Sequence, residues 1–375
     1  MTGDLVQIGV VAKNEMIKCV RGKKFLISFA IIILVFLLIT GLQFMTKGWN
    51  NLDTVGELVE VYLDSLPIVA VLIVALLSSV ALVSEFEERT ALILFTRPVR
   101  RTSILIGKII SCTIIEGLII LVYYILVSIV GIVKVGSLPP EIVISFLFAV
   151  LYAFAASGVA FIISAFLKKG SVSTVISILL LVVIFPIVSA MMTTDGGENW
   201  YMIDQAGNTV YTCVPEYVDN YNKAMDDIDK VITNVVDILR GFTDDGMKGG
   251  IAWLSNSIFS PEFFDLGQRD QERIITAVMT LDTDAFEKYA EYFNPGYLAI
   301  GDASTQVSVM KMFLFLTLGV DGNLDAVITV LEMMTKMSIF QPLEHPDLLK
   351  EAIVLLVWGV VCYFIAWARF VRREF

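Results

Sequence analysis

A charged segment, Ser84 to Lys108, lies between two long apolar runs of the chain. Its first part carries carboxylates and its last part carries arginines, a mixture that forms charge pairs at protein interfaces. Within it, Glu85 and Arg89 have the i,i+4 spacing that stabilises a helix, and Pro98 ends that helix. The segment predicts a short amphipathic helix at the membrane surface that binds a partner. The alternative is an ordinary basic turn at the frayed end of a span.

A second ionisable group, Glu116, lies near the middle of the next apolar run. It is eight residues after Lys108, which is about 12 Å along a helix. A carboxylate within a bilayer is unfavourable unless it faces protein or water. Glu116 is therefore the one candidate for a residue of a substrate path or a gate. The alternative is a protonated or hydrogen-bonded carboxyl that only serves packing.

Residues for other kinds of chemistry are missing from the sequence. His345 is the only histidine, so the chain alone cannot form an HExxH zinc site or a Ser-His-Asp triad. No GxxxxGK[ST] motif occurs, so the chain cannot hold ATP in a P-loop. The basic residues suit anionic lipid and do not require nucleic acid. We therefore predict that the chain is not an enzyme and has no catalytic residue, metal site or cofactor of its own.

The elements that position these residues are membrane spans. Of the 375 residues, 57% are hydrophobic and 17% are charged, and the mean hydropathy is +0.78, which excludes an ordinary soluble domain. About 20 apolar residues cross a bilayer as a helix. Six runs are that long: 25–44, 65–84, 104–133, 141–167, 172–193 and 351–370. The fold class is thus an all-α polytopic membrane protein with six transmembrane helices, the first of which serves as an uncleaved anchor.

The distribution of lysine and arginine predicts the orientation. These residues concentrate before the first run, in the loop after the second and at the end of the chain, which places both termini inside (N-in/C-in). The predicted domains are an interfacial amphipathic helix, five spans with the charged loop at 85–103, an extracellular domain, and the sixth span with a basic tail. Their ranges are 1–24, 25–193, 194–350 and 351–375.

The extracellular domain is predicted to be acidic and mainly helical. It carries 25 Asp and Glu against 9 Lys and Arg over residues 194–349, which a solvated surface explains without a cation ligand. Alternating and β-branched residues on both sides of Gly207-Asn208 predict a possible β-hairpin over 200–214. The remainder has helical periodicity and helix stop signals.

The charged loop resembles that of ABC transporter permeases of the type-2 family. In that family a glutamate and a Thr-Leu helix are followed by Pro-Val-Ser-Arg and then Gly-Lys. The matching residues here are Glu87 or Glu88, Thr90, Leu92, Leu94, Pro98, Val99, Arg101, Gly107 and Lys108. Arg89 stands where the family commonly has glycine, and Arg100 where it commonly has serine. With the N-terminal helix and six spans, the resemblance covers roughly 1–193 and 351–375.

The resemblance implies the membrane subunit of an ATP-driven exporter in the plasma or inner membrane. Its loop would be a coupling helix that docks on a separate ABC ATPase subunit, which holds the ATP and Mg²⁺. The implied docking residues are Glu85, Glu87, Glu88, Arg89, Thr90, Arg97, Pro98 and Arg101. A second permease copy, identical or paralogous, is also implied, and the substrate is unknown.

Two functions of other kinds remain open at the level of sequence. The chain could be a membrane receptor or scaffold whose acidic extracellular domain binds a ligand. It could also transmit ATP-driven force to an external partner without passing anything through the membrane. A membrane enzyme is disfavoured, because histidine and paired intramembrane carboxylates are nearly absent.

Overall fold

The computed structural model of the chain describes residues 2–46, 48–87, 100–194, 199–244, 259–280, 288–293 and 342–372. These residues are mostly helical and contain no β-sheet. An isolated antiparallel bridge between Phe259 and Phe293 is the sole β-type pairing recorded within those ranges. The prediction of an all-α fold is confirmed.

Six helical segments are long and apolar enough to span a membrane, as predicted. They are Phe25–Met45, Val55–Glu85, Arg101–Val135, Ile142–Phe166, Gly170–Met192 and Leu348–Arg372, called spans 1 to 6. Span 2 begins ten residues before its predicted start, because a helix capped by Thr54 and Glu57 precedes the apolar run. The orientation of the spans stays a prediction.

The chain divides into two compact units, Met1–Asn220 with Leu343–Phe375, and Tyr221–Pro342. The first unit contains all six spans. Its helices are α1 (Thr2–Arg21), α2 (Lys23–Met45), α3 (Val55–Tyr62), α4 (Leu66–Leu77), α5 (Val83–Glu87), α6 (Arg101–Val130), α7 (Ile142–Phe166), α8 (Gly170–Ile178), α9 (Phe185–Thr194), α10 (Ile203–Thr212) and α14 (Leu348–Arg372). Residues 199–220 thus belong to the same compact unit as the spans. The sequence predicted that the extracellular domain begins at residue 194.

The second unit is mostly helical where it is described. Helix α11 (Pro215–Asp244) begins in the first unit and continues into the second. It is followed by α12 (Pro261–Phe264) and α13 (Gln268–Thr280). The ring of Phe259 stacks on those of Phe263 and Phe293, with centroids 4.0 and 5.7 Å away.

Spans 4 and 6 approach closely through glycine. A Cβ added to Gly158 would lie 3.2 Å from the carbonyl oxygen of Gly359 and 3.0 Å from the Cβ of Cys362. A Cβ on Gly359 would lie 2.4 Å from the ring of Phe154. Small residues permit such contact between helices in a membrane, where packing drives association. These two spans therefore form a tight pair.

The predicted β-hairpin over 200–214 is wrong, because residues 203–212 form helix α10. The buried residues of α10 recur at helical spacing, and the helix packs on span 4. Gly207, interpreted as a turn glycine, instead makes room for Tyr152, whose ring a Cβ would approach to 2.5 Å. Ser145 of span 4 donates a hydrogen bond to the carbonyl of Val210. Burial against the span outweighed the local β-branched and turn preferences.

Candidate functional site

The charged loop is described on both sides of residues 88–99. Here "loop base" means its two flanks, Leu82–Glu87 at the end of span 2 and Arg100–Lys108 at the start of span 3. Glu85, Glu87 and Arg101 lie in the loop base. The other predicted docking residues lie outside the described residues: Glu88, Arg89, Thr90, Arg97 and Pro98.

A buried ion-pair cluster joins the two flanks. Lys108 Nζ lies 2.9 Å from Oε1 of Glu85 and 3.0 Å from Oε1 of Glu15 in α1. The side chains of Lys108 and Glu85 are only 2% and 7% exposed. Lys18, which is half exposed, lies 3.1 Å from the same Glu85 oxygen. Buried charges must be paired in this way, because an unpaired charge loses its hydration without compensation.

The cluster requires α1 to lie directly on span 3, and Gly107 allows it. A Cβ on Gly107 would lie 2.7 Å from Cγ1 of Val11 and 3.2 Å from the backbone nitrogen of Ala12. The face of α1 that carries Val11, Ala12 and Glu15 is therefore turned to span 3. The opposite face leaves Val6, Val10, Ile17 and Val20 exposed, as an interfacial helix would.

The first flank is also tied to span 4. The backbone N–H groups of Leu82 and Val83 both donate to Ser164 Oγ, at 3.1 and 3.0 Å. The first N–H groups of a helix have no partner within it. Ser164, a completely buried hydroxyl, supplies that partner at the beginning of α5.

Glu87 connects the same flank to span 5. Its Oε2 accepts a hydrogen bond of 2.9 Å from the N–H of Gly170, the first residue of α8. The residue at the N-cap position, Lys169, provides no side-chain cap. A carboxylate is favourable at this positive end of the helix dipole. Glu87 thus caps span 5 from another helix.

We expect Glu87→Ala to destabilise the start of span 5 by roughly 1 kcal/mol, the usual effect of losing a cap. Glu87→Gln should lose less, because the amide oxygen still accepts from Gly170 N–H. The measurement is the thermal unfolding midpoint of the purified protein in detergent. Equal midpoints for Glu87→Ala and the unmodified protein would contradict the capping role.

The second flank is tied to the end of span 6. Arg101 Nη1 donates to the carbonyl of Val371 at 2.8 Å, and Trp367 Nε1 donates to Thr102 Oγ1 at 3.1 Å. Carbonyls in the last turn of a helix have no partner within it, and a cation there is favourable. Glu85, Glu87 and Arg101, all predicted to dock a partner, each make contacts within this chain. The loop base therefore contacts α1 and spans 4, 5 and 6.

Several residues of this site were missed in the sequence. Glu15, Ser164 and Trp367 carry no local signal, since polar residues of these types occur singly in many helices. Only the adjacent Gly107 and Lys108, which the sequence analysis noted as part of a motif, indicated a close contact at the beginning of span 3. The partners of Lys108 depend on which helix faces meet, and that information is not local.

Glu116 is completely buried within the spans. Ser78 Oγ of span 2 donates to its Oε1 at 2.6 Å, whereas its Oε2 and the nearby Thr113 Oγ1 have no hydrogen-bond partner within the described residues. A buried carboxyl with one hydrogen-bonded and one unbonded oxygen is compatible with a gate or path residue and equally with a packing role.

If the resemblance to ABC permeases holds, we expect Glu116→Gln to slow Mg-ATP hydrolysis by the permease–ATPase complex severalfold, without loss of assembly. The amide oxygen still accepts from Ser78 Oγ, but the side chain can no longer gain or lose a proton. Glu141→Gln is a suitable control, since Glu141 precedes span 4 and its side chain makes no capping hydrogen bond to that helix. An unchanged rate in Glu116→Gln would remove this residue from the path or gate.

A separate polar cluster fixes α10 and its preceding turn to spans 5 and 6. Ser189 Oγ accepts from the side-chain amides of Asn199 and Gln205, each at 3.1 Å, and Trp358 Nε1 donates to the carbonyl of Tyr201 at 2.8 Å. Burial raises the pKa of the neighbouring Asp204 carboxyl, an effect that its hydrogen bonds oppose. We interpret this cluster as a contact that stabilises the fold.

Comparison with known protein families identifies a family for this chain. The model for "ABC-2 family transporter protein" matches residues 10–229, more than half of the chain. The match begins within α1 and includes spans 1 to 5, the loop base and Glu116. Comparison with curated proteins gives no match.

Proposed function

The chain belongs to the ABC-2 family of transporter proteins, and we propose that a separate ATPase drives it by docking on the 85–103 loop. Membership of this family makes the chain a membrane permease component of an ABC transporter, with an ABC ATPase as partner. With six apolar helices it is a multi-pass protein of the plasma membrane. In the proposal the partner binds ATP and Mg²⁺ and hydrolyses ATP, and this chain performs no catalysis.

The observation that carries the proposal is the number of helices that meet at the loop base. Its flanks end span 2 and begin span 3, and they hold α1, span 4, span 5 and span 6 by ion pairs and hydrogen bonds. A displacement of the loop therefore acts on all of these elements together. Close-packed helices joined by polar side chains move together, because their packing allows a few discrete arrangements and little continuous deformation.

The proposed docking residues are those between the flanks. Glu88, Arg89, Thr90, Arg97 and Pro98 are proposed to contact the ATPase, where charge pairs fix orientation and the apolar residues between them supply burial. Glu85 and Lys108 are proposed to anchor the loop instead, because both are buried in this chain. Glu87 and Arg101 serve both purposes: each bonds another span and lies beside the docking segment.

The remaining parts have roles in the same proposal. Export is the proposed direction, with a second permease copy, identical or paralogous, completing the path. Glu116 is proposed to act as a gate or path residue within the spans. The acidic unit Tyr221–Pro342 is proposed to lie outside the cell and to receive or hand on the substrate.

That unit also favours a second candidate function. A compact acidic unit of its own, within a family whose members are moved by ATPases, would suit transmission of force to an external partner. A receptor or scaffold that works without any ATPase is the other alternative. The experiment below separates the receptor from both ATP-driven functions.

The test is purification of the tagged chain from its native membranes in mild detergent. We expect a polypeptide with a P-loop to co-elute and the complex to hydrolyse Mg-ATP. The variant Glu88→Arg with Arg97→Glu should lose both, since it reverses charges in the docking segment and leaves the loop base intact. A matched control is Asp226→Arg with Lys230→Glu, which reverses an exposed pair in α11. Absence of any ATPase, or equal loss in both variants, would contradict the proposal.

A further inference from the structure

A cavity of about 310 Å³ opens beside the loop base, between α1, the end of span 2 and the start of span 3. It has an apolar part and a charged part. The apolar part is formed by Leu77, Val80, Ala81, Cys112 and Ile115. The charged and polar part is formed by Glu15, Lys18, Lys23, Ser84, Lys108 and Ser111. The cavity could not be predicted from the sequence, because it forms only where α1 rests on span 3.

Among the described residues, the charges at this cavity are not balanced. Lys108 Nζ donates to Glu15 and Glu85, and of its three N–H groups one has no acceptor within the described residues. Lys18 contacts only Glu85 in the same part of the chain, and its side chain is 51% exposed. Lys23 makes no ion pair there. Three ammonium groups thus face two carboxylates, which leaves one positive charge for a ligand to neutralise.

We propose that the cavity binds one anionic phospholipid of the inner leaflet. Its phosphate would accept hydrogen bonds from Lys18 and Lys23 at the mouth and from the free N–H of Lys108. The first methylenes of an acyl chain would lie on Leu77, Val80 and Ala81. This inference does not depend on the docking of an ATPase.

The chemistry of the walls favours a lipid over a free phosphate ion. Apolar side chains form much of the cavity, and a phosphate ion alone would leave them in contact with water. A phospholipid matches both parts, because its acyl chain covers the apolar side chains and its phosphate neutralises the ammonium groups. The side of the membrane fits as well, because the positive-inside rule places these lysines at the inner leaflet, where anionic lipids attract them. A lipid bound here would contact α1 and the loop base together, and would hold them in their present contact.

The experiment measures lipid retained by the full chain after purification in mild detergent, by native mass spectrometry. The probes are phosphatidylglycerol, phosphatidylcholine with the same acyl chains, and inorganic phosphate. The test variant is Lys18→Gln with Lys23→Gln. The matched control is Lys13→Gln with Arg21→Gln, which removes the same charge from exposed positions of α1 that do not line the cavity. A third variant, Ala81→Leu, fills the apolar part and leaves every charge in place.

We expect one phosphatidylglycerol per chain to be retained, at least tenfold more than phosphatidylcholine. Retention should be lost in the Lys18/Lys23 variant and in Ala81→Leu, and kept in the Lys13/Arg21 control. Equal loss in both lysine variants would show a general surface attraction and overturn the proposal. So would full retention in Ala81→Leu, equal retention of the two lipids, or displacement of the lipid by inorganic phosphate at millimolar concentration. Because none of these readouts involves ATP, a negative result here leaves the proposed ATPase docking unaffected.

Discussion

Replacing Lys108 by methionine is expected to destabilise the protein more than any other single change at the loop base. The substitution leaves the 7% exposed carboxylate of Glu85 without the Lys108 ammonium group, which lies 2.9 Å away. Removing one partner of a buried ion pair typically destabilises a protein by 3–5 kcal/mol. We expect about 3 kcal/mol here, the lower end of that range, because Lys18 still contacts the same oxygen. The measurement is the thermal unfolding midpoint in detergent, together with the fraction that elutes as a single species.

Two further variants make this expectation specific. Adding Glu85→Gln to Lys108→Met should restore part of the lost stability, because it removes a buried carboxylate that only the half-exposed Lys18 still neutralises. Lys230→Met disrupts an exposed ion pair with Asp226 and should leave the unfolding midpoint unchanged, as exposed pairs contribute little. If Lys108→Met unfolds at the same temperature as Lys230→Met, Lys108 does not hold the loop base together.

Replacing Gly107 by valine is expected to separate α1 from span 3. The new side chain would occupy the space of Val11 and press on the backbone of Ala12, which cannot move aside as a side-chain tip can. Overpacking of this kind destabilises by about 1–3 kcal/mol. Displacement of α1 would also break the contact between Glu15 and Lys108. We expect faster trypsin cleavage within α1, after Lys13 or Lys18, and weaker co-elution of the ATPase.

The same helix supplies the control for this substitution. Gly117 lies ten residues further along, and a Cβ there would meet only Val150, at 3.6 Å, an ordinary contact. Gly117→Val has the same effect on helix propensity and should leave both trypsin cleavage and co-elution unchanged. Equal cleavage rates in the two variants would show that Gly107 does not determine the position of α1.

The six spans could be predicted from sequence because a bilayer imposes a length and a composition that few other structures need. The charged loop was located for a related reason, since it interrupts this composition between Ser84 and Lys108. Neither inference requires knowledge of which helices are neighbours. The family resemblance drawn from the loop was confirmed by the match over residues 10–229.

The contacts of the site could not be predicted in the same way. Gly207 carried a turn signal and Gly107 was noted only as part of a motif, yet both prove to be positions where another element approaches closely. Glu85 was predicted to dock a partner, and nothing in the sequence indicated that its side chain also lies 2.9 Å from Lys108. Each of these contacts depends on which faces of distant segments pack together. Hydropathy and local residue spacing do not predict such long-range packing.

The most direct test of the account is photo-crosslinking from the loop in cells that produce the chain at its native level. A benzophenone amino acid is placed at Thr90 or Arg97, and in the control at Lys134, at the far end of span 3. The account predicts a crosslink from the loop positions, and none from Lys134, to a polypeptide with a P-loop. No ATPase crosslink from either loop position, or an equal one from Lys134, would contradict the claim that this loop is the point where the ATPase acts.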